Sequence, residues 1–377
     1  MTTMSQARPL DTLRVDLVGS FLRPQALKDA FGANERGTLD DAGLRQAQDA
    51  AIRDLVAAEE AHGLPLVGDG EFRRRNFNQS FSVVAGMEPW YAVLFDPNAR
   101  VVDPNEPKRE IGNEFRSPVT SKLRLVRNAP LEEYAFVAGL TTRPATVTLI
   151  SADRIVQRYD DAKSRSIYPG VPDFLRDVVS IEREMIDGLR DSGCRYVHID
   201  APSYTSYVDA EMLAGMRSRG EDPDENFTRS LAADNAVIEG FDDVTFGIHL
   251  CRGNARSKWH RQGSYDAIAE RLFNTLKHDR FLLEYDDERS GGFEPLRFVP
   301  AGKVVVLGVI STKTSRVESV DEICRRIDDA AKHLPLAQLA VSPQCGFSSG
   351  LEGNLLSEDD QWRKIDAMMT AAQKTWG

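Results

Sequence analysis

Short apolar runs rich in valine, isoleucine and leucine recur along the chain, each followed by polar or glycine residues and then by a segment of helical periodicity. Eight runs are legible: RVDLVGS at about 15–20, LPLVGDGE ending at Glu71, AFVAGLT at 135–141, RYVHIDAP at 195–202, VTFGIHLCRG at 244–253, FLLEYDDE at 281–288, KVVVLGVIS at 303–311 and LAVSPQCG at 339–346. Between them DDAGLRQAQDAAIRDLVAAEEAHG, FLRDVVSIEREMIDGLRDSG and VDEICRRIDDAAKHL place apolar residues three and four apart, the spacing of one helix face. Strands this apolar are buried on both faces, so the pattern predicts an α/β fold, a (β/α)8 TIM barrel forming one domain over 1–377, with the doubly wound open sheet as the alternative topology. The stretch 79–133, rich in proline, asparagine and charge, has no period and reads as a long insertion between the second and third units, forming either a flap or a contact in a homo-oligomer.

The 377 residues, 41% of them apolar and 28% charged, suit a folded enzyme with a sizeable core. A net charge of −11 argues against affinity for nucleic acid or anionic membranes and leaves small molecules as the expected partners. MTTMSQARPL has no basic region leading into an apolar stretch, and no run approaches the roughly 20 apolar residues of a membrane span, so a cytoplasmic location is expected. Four cysteines are too few for a disulfide framework. Cys324 within a helical pattern and Cys194 before a strand read as buried thiols.

In such a barrel the chemistry sits where the strands end. Those positions hold Ser20 and Arg23, Asp69 and Glu71, Thr141 and Arg143, His198 and Asp200, His249 and Cys251, Glu284 and Asp286, Lys313, and Cys345. His249 and Cys251, two apart, point the same way, and Glu284 and Cys345 end later strands. Nitrogen and sulfur donors of this kind favour zinc over magnesium or calcium. Two thiolates and a carboxylate outweigh the charge of one zinc ion, which makes it a poor Lewis acid for hydrolysis but able to deprotonate an incoming thiol and leave it nucleophilic.

The motifs VGSFLRP, GDGEFRRRNF, HIDAPSY, HLCRGN, LEYDDERSGGFEPL, VVVLGVISTKT and SPQCGF resemble, over nearly the whole chain, the catalytic barrel of the cobalamin-independent methionine synthases, and still more the short single-barrel proteins related to them. That resemblance implies a zinc set of His249, Cys251, Glu284 and Cys345, with Ser20, Glu71 and Asp200 holding the amino-acid end of homocysteine. The chain departs from the full enzyme in having one barrel rather than two, and in carrying STKTS where the catalytic histidine segment would lie. The superfamily also includes the epoxyalkane:coenzyme M transferases (2-hydroxypropyl-CoM lyases), single zinc barrels that join coenzyme M to a small epoxide. The cations Arg252, Arg256, Lys258, His260 and Arg261 after the zinc loop suit a sulfonate. The leading expectation is therefore opening of a short epoxide by coenzyme M, a lyase-class reaction. Arg23, Arg252, Lys258 and Arg261 would bind the thiol substrate, and Lys313, His198 or Tyr204 would protonate the alkoxide. The alternative is homocysteine S-methylation; a zinc-storing or thiol-binding protein without catalysis is a third reading.

Overall fold

A computed structural model of the chain describes residues 10–81, 83–87 and 118–377. Strands β1 (Val84–Met87) and β2 (Val119–Leu125) form a two-stranded antiparallel sheet. The main sheet contains β3 (Val147–Ile150), β4 (Tyr196–Asp200), β5 (Thr245–Leu250), β6 (Arg280–Glu284), β7 (Val304–Ile310) and β8 (Leu339–Pro343), all parallel and adjacent in chain order. The first two apolar runs lie along its two edges. Val15 bridges Val341 of β8, Val67 bridges Ala145 just before β3, and Phe21 N–H donates to Gly70 O at 3.2 Å, joining the two runs to each other. Each makes one bridge rather than a ladder, and in the second run Pro65 has no N–H to contribute and Gly68 has no side chain to pack.

The third run departs from expectation. AFVAGLT closes the helix Ala129–Ala138, and the strand is VTLI, later in the chain. Asn128 caps that helix by accepting from Leu131 N–H at 3.1 Å, Pro130 occupies its first turn, and Pro130, Glu133, Tyr134 and Val137 bury one face at helical spacing. Thr141 and Arg143 therefore precede β3 instead of following it; Arg143 is tied to Glu60 O at 2.9 Å and to Leu64 O, at the end of the sheet away from the other strand-end residues. The segment read as an insertion is bordered by the 3-10 turn Phe77–Phe81, β1 and β2, and gives way to helix at Ala129, before residue 133; its centre, 88–117, lies outside the described residues, as do any flap or oligomer contacts made there.

The helices Asp41–Ala61, Val171–Asp191 and Val320–Ala330 form where periodicity places them, the last with a capping box between Ser319 and Glu322. They cover the outer face of the sheet over one large apolar core. The inner face carries a smaller cluster of Val18, Leu282, Val304, Val306 and Ala340. Also buried near this face is a polar knot: Asp16 accepts from Tyr196 OH at 2.6 Å and from Arg280 Nε at 2.9 Å. No helix among the described residues is long and apolar enough to cross a membrane.

Candidate metal centre

His249 lies on β5, one residue before its end, and Cys251 follows that strand directly; Cys345 follows β8 by two residues. Their ligand atoms lie within 4.8 Å of one another, all three residues are buried, and among the described residues they form the one cluster able to hold a metal. His249 finds no nitrogen or oxygen partner and interacts instead with the Cys251 sulfur, so the two donors face one another across the cluster. Cys251 shares a hydrogen bond with Cys345, which, helped by His249, holds its thiol well below the usual range against the effect of burial. The same contact and burial push Cys345 well up. This set of one imidazole and two thiols, buried and clustered, fits zinc.

Glu284 ends β6, fully buried and beside the three donors. Its carboxylate accepts from Arg252 N–H on one oxygen, and on the other from Lys313 Nζ at 3.1 Å and Arg289 Nη2 at 3.4 Å. Burial pushes its pKa up while Lys313 opposes the shift.

A second group faces the same end of the sheet. Asp200 ends β4 and pairs in register with His249. Burial, opposed by His249 and reinforced by Glu71 and Cys251, pushes its pKa up to about 8. Glu71 follows Gly70 in a turn where both have positive φ, 59° and 61°, a strained state for glutamate of the kind that collects at functional sites. Thr148 Oγ1 donates to Glu71 Oε1 at 2.7 Å and Arg74 reaches the same oxygen at 3.5 Å. Glu71 Oε2, Asp69 Oδ2 and Asp200 Oδ1 are buried without partners. Ser20 Oγ accepts from Ser348 N–H at 3.3 Å. Two glycines allow this packing: a Cβ on Gly19 would stand 2.6 Å from Thr148 Cγ2, and one on Gly346 would collide with Ser20 Oγ at 1.9 Å.

Several expected site residues are engaged elsewhere. Arg23 donates to Ser348 O, Gly350 O, Glu71 O and Arg74 O, tying the loop after the second run to the loop after β8, which makes it a staple rather than a substrate contact. Arg252 is fully buried, donates to Gly263 O at 2.7 Å and Glu284 O at 3.1 Å, and stacks over Tyr265 at 4.3 Å. Arg261 Nη1 donates to Pro202 O at 2.7 Å, and Lys258 is exposed to solvent. The basic cluster is therefore not a convergent anion site. Tyr204 donates to Asp234 Oδ2 at 2.7 Å in the helical layer, and burial beside Asp234 pushes its pKa well up. His198 lies one residue pair below Asp200, 3.4 Å from Asp16 and edge-on to Tyr196. Tyr204 and His198 thus face Asp234 and Asp16, whereas Lys313 donates to Glu284 Oε1 at 3.1 Å.

The sequence allows Glu71 to pair with one of Arg73 to Arg75, and Arg74 is the one that does; sequence reading missed Thr148, which also holds Glu71, and the lattice between the cysteine loops. In that lattice Asn254 Nδ2 donates to Thr312 Oγ1 at 2.8 Å and Gly346 O at 2.9 Å, and Thr312 donates to Gln344 Oε1 at 2.9 Å. The β-branched run TVTLI was the available signal for Thr148.

A family profile described as the catalytic domain of the cobalamin-independent synthase matches residues 14–373. YxjH of Bacillus subtilis (strain 168), an uncharacterized protein, is 34% identical over 371 residues, covering 96% of this chain and 94% of its own length. The methionine synthase of Pyrococcus abyssi is 24% identical over 97% of this chain and 93% of its own. The crystal structure of a proposed vitamin-B12-independent methionine synthase from Listeria monocytogenes superposes with a TM-score of 0.75 at 25% identity, covering 99% of this chain and 100% of that one.

Proposed function

The chain belongs to the family of the cobalamin-independent synthase catalytic domain, and on that premise we propose that it methylates the thiol of homocysteine at a zinc ion held by His249, Cys251 and Cys345, with Glu284 as the fourth donor. The two bridged edge segments are taken in this reading as the first staves of an eight-unit barrel, and the site as its C-terminal mouth. The observation that carries the choice of thiol is the trio of buried carboxylate oxygens on Asp69, Glu71 and Asp200 that have no partner. Buried carboxylate oxygens without a hydrogen-bond partner call for a donor, and the α-ammonium of an amino acid supplies three N–H groups. Coenzyme M has no ammonium group, and the cations that would hold its sulfonate are engaged with backbone or exposed to solvent. A transferase fits these residues better than a lyase acting on an epoxide.

Glu71 Oε2 and Asp200 Oδ1 would accept from the ammonium, while Thr148 and Arg74 keep the other Glu71 oxygen turned away. Ser20, whose Oγ already accepts from Ser348 N–H, retains its own hydroxyl proton for the substrate carboxylate. Zinc, when bound, lowers the pKa of the substrate thiol so that sulfur is presented as a thiolate at neutral pH. That thiolate attacks the methyl carbon of the donor in line; a carbon–sulfur bond forms, the bond from methyl to the donor breaks, and the donor's leaving atom takes the electron pair. Lys313, one of the three acids expected from sequence, would protonate that leaving atom; its support is a buried ammonium beside Glu284.

Calorimetry on zinc-loaded protein tests this reading by comparing homocysteine, its deaminated analogue and coenzyme M. Homocysteine is expected to bind tightest, and Glu71→Gln with Asp200→Asn to erase its advantage over the deaminated thiol. Equal binding of the two, or preference for coenzyme M, would sink the assignment.

A further inference from the structure

One side chain of the helix Ala129–Ala138 reaches the turn that carries Glu71. Glu133 is 3% exposed, and its carboxylate clasps the guanidinium of Arg74: Nη2 donates to Oε2 at 2.5 Å, and Nε donates to Oε1 and Oε2 at 3.0 and 3.1 Å. The remaining donors of Arg74 go to Thr148, Nη1 to its Oγ1 and Nη2 to its backbone oxygen, both at 2.8 Å. Glu71, three residues earlier in the chain, is met by Arg74 only at 3.5 Å. The guanidinium stands between two buried acids and is closed onto one of them.

Charge makes this asymmetry matter. An ionised Glu133 cancels the charge of Arg74 and leaves the charge of Glu71 for whatever binds Oε2. Without Glu133 the same arginine would cancel Glu71, and an ammonium arriving at Oε2 would meet a cation behind the carboxylate, in a site that solvent screens poorly. Burial pushes the Glu133 carboxyl up to about 7, and Arg74 is the main charge opposing that rise, so the two ionise as a pair. Arg74 has little room to relax. Thr148 fixes the guanidinium from the strand, and Arg23 Nη2 donates to Glu71 O at 2.7 Å and Arg74 O at 2.8 Å, which pins the turn bearing both side chains.

We propose that Glu133 is a positioning residue for the amino group of the substrate: by holding Arg74 in a closed ion pair it leaves the Glu71 carboxylate uncancelled, and so sets the preference of the site for a thiol that carries an α-ammonium. The inference rests on the homocysteine reading above and adds to it a residue that acts through another. It also gives a role to the last residue of the segment 79–133.

The test is calorimetry on the zinc-loaded protein, comparing homocysteine with its deaminated analogue. In Glu133→Gln homocysteine affinity should fall by about tenfold, the lower end of what one charge-assisted contact contributes, while the deaminated thiol stays within about threefold and zinc content is unchanged. Removing both charges, in Glu133→Gln with Arg74→Met, should return the advantage of homocysteine to within about threefold of wild type, because Glu71 is again uncancelled and still held by Thr148. A role confined to folding would weaken both thiols together, and the second substitution would not repair it. If Glu133→Gln alone fails to fold, with Arg74 buried beside no acid, the double variant decides, since uncharged replacement of both members of a buried pair is often tolerated. A folded Glu133→Gln that keeps the full homocysteine advantage or loses zinc, or a double variant that lacks the advantage, overturns the proposal and leaves the homocysteine reading standing. Failure of both variants to fold would make the pair a structural one and overturns it too. A wild type that binds the two thiols equally overturns the proposal together with the homocysteine reading.

Discussion

Two polar groups buried in the sheet differ in how completely they are satisfied. In one, Asp16 accepts from Tyr196, Arg280 and its neighbour Leu17 N–H, and Arg280 also donates to Leu10 O and Leu13 O. The Arg280 guanidinium, with His198 and Tyr196, outweighs burial and holds the Asp16 carboxyl down at about 2. In the other, beside the metal centre, buried oxygens of Asp69, Glu71 and Asp200 lack partners. In the first group every Asp16 carboxylate oxygen is met by a donor, which stabilises the fold; in the second, carboxylate oxygens are left open for a ligand to complete. Each prediction below breaks one group and leaves the other intact.

The largest effect falls on the metal. Cys251→Ala or Cys345→Ala should reduce zinc from about one per chain to nearly none by metal analysis, because losing a thiolate both opens the shell and changes its charge. Folding should survive in both, since the knot around Asp16 is untouched. Full zinc in either variant would remove the assignment.

The converse variant is Asp16→Asn. It leaves Arg280 buried without its carboxylate and should cost about 3–5 kcal/mol in denaturant unfolding, with zinc content of the folded fraction unchanged. The pH dependence has a definite sign. The Asp16 pKa is about 2 folded against 3.8 for the ordinary group, so its contribution is complete above about pH 4 and is lost as pH falls toward 2. In Asp16→Asn that acid-labile share should be missing.

Intermediate effects belong to the open carboxylates. Glu71→Gln should weaken homocysteine binding by about ten- to a hundredfold, the loss of one charge-assisted contact, with zinc retained. Tyr204→Phe removes only the bond to Asp234 and should cost about 1 kcal/mol in stability while leaving the KM for thiol alone. The smallest effect is expected in Lys258→Ala, where an exposed side chain is lost and thiol affinity should change by less than about twofold.

The strand ends were readable because alternation in a strand is a local property: His249 with Cys251, Glu284 and Cys345 could be placed from their own neighbours. The same rule failed for AFVAGLT, whose small and apolar residues fit both periods; Asn128 and Pro130 ahead of it, a cap and a first-turn proline, settle it as helix. Arginine was the least legible residue. Arg23 and Arg252 look like anion binders from composition, but their donors meet backbone carbonyls brought close only by the fold, such as Gly350 O and Gly263 O. Tyr204 was misread for the same reason, since Asp234 is thirty residues away in sequence. Nothing local to the sequence shows that Glu284 faces Lys313.

The most direct measurement is X-ray absorption at the zinc edge before and after adding homocysteine. The account predicts two sulfur neighbours at rest, from Cys251 and Cys345, and three with homocysteine, while coenzyme M at the same concentration leaves the shell as it was. Two sulfurs in every condition, or a third that appears with coenzyme M and not with homocysteine, would contradict it.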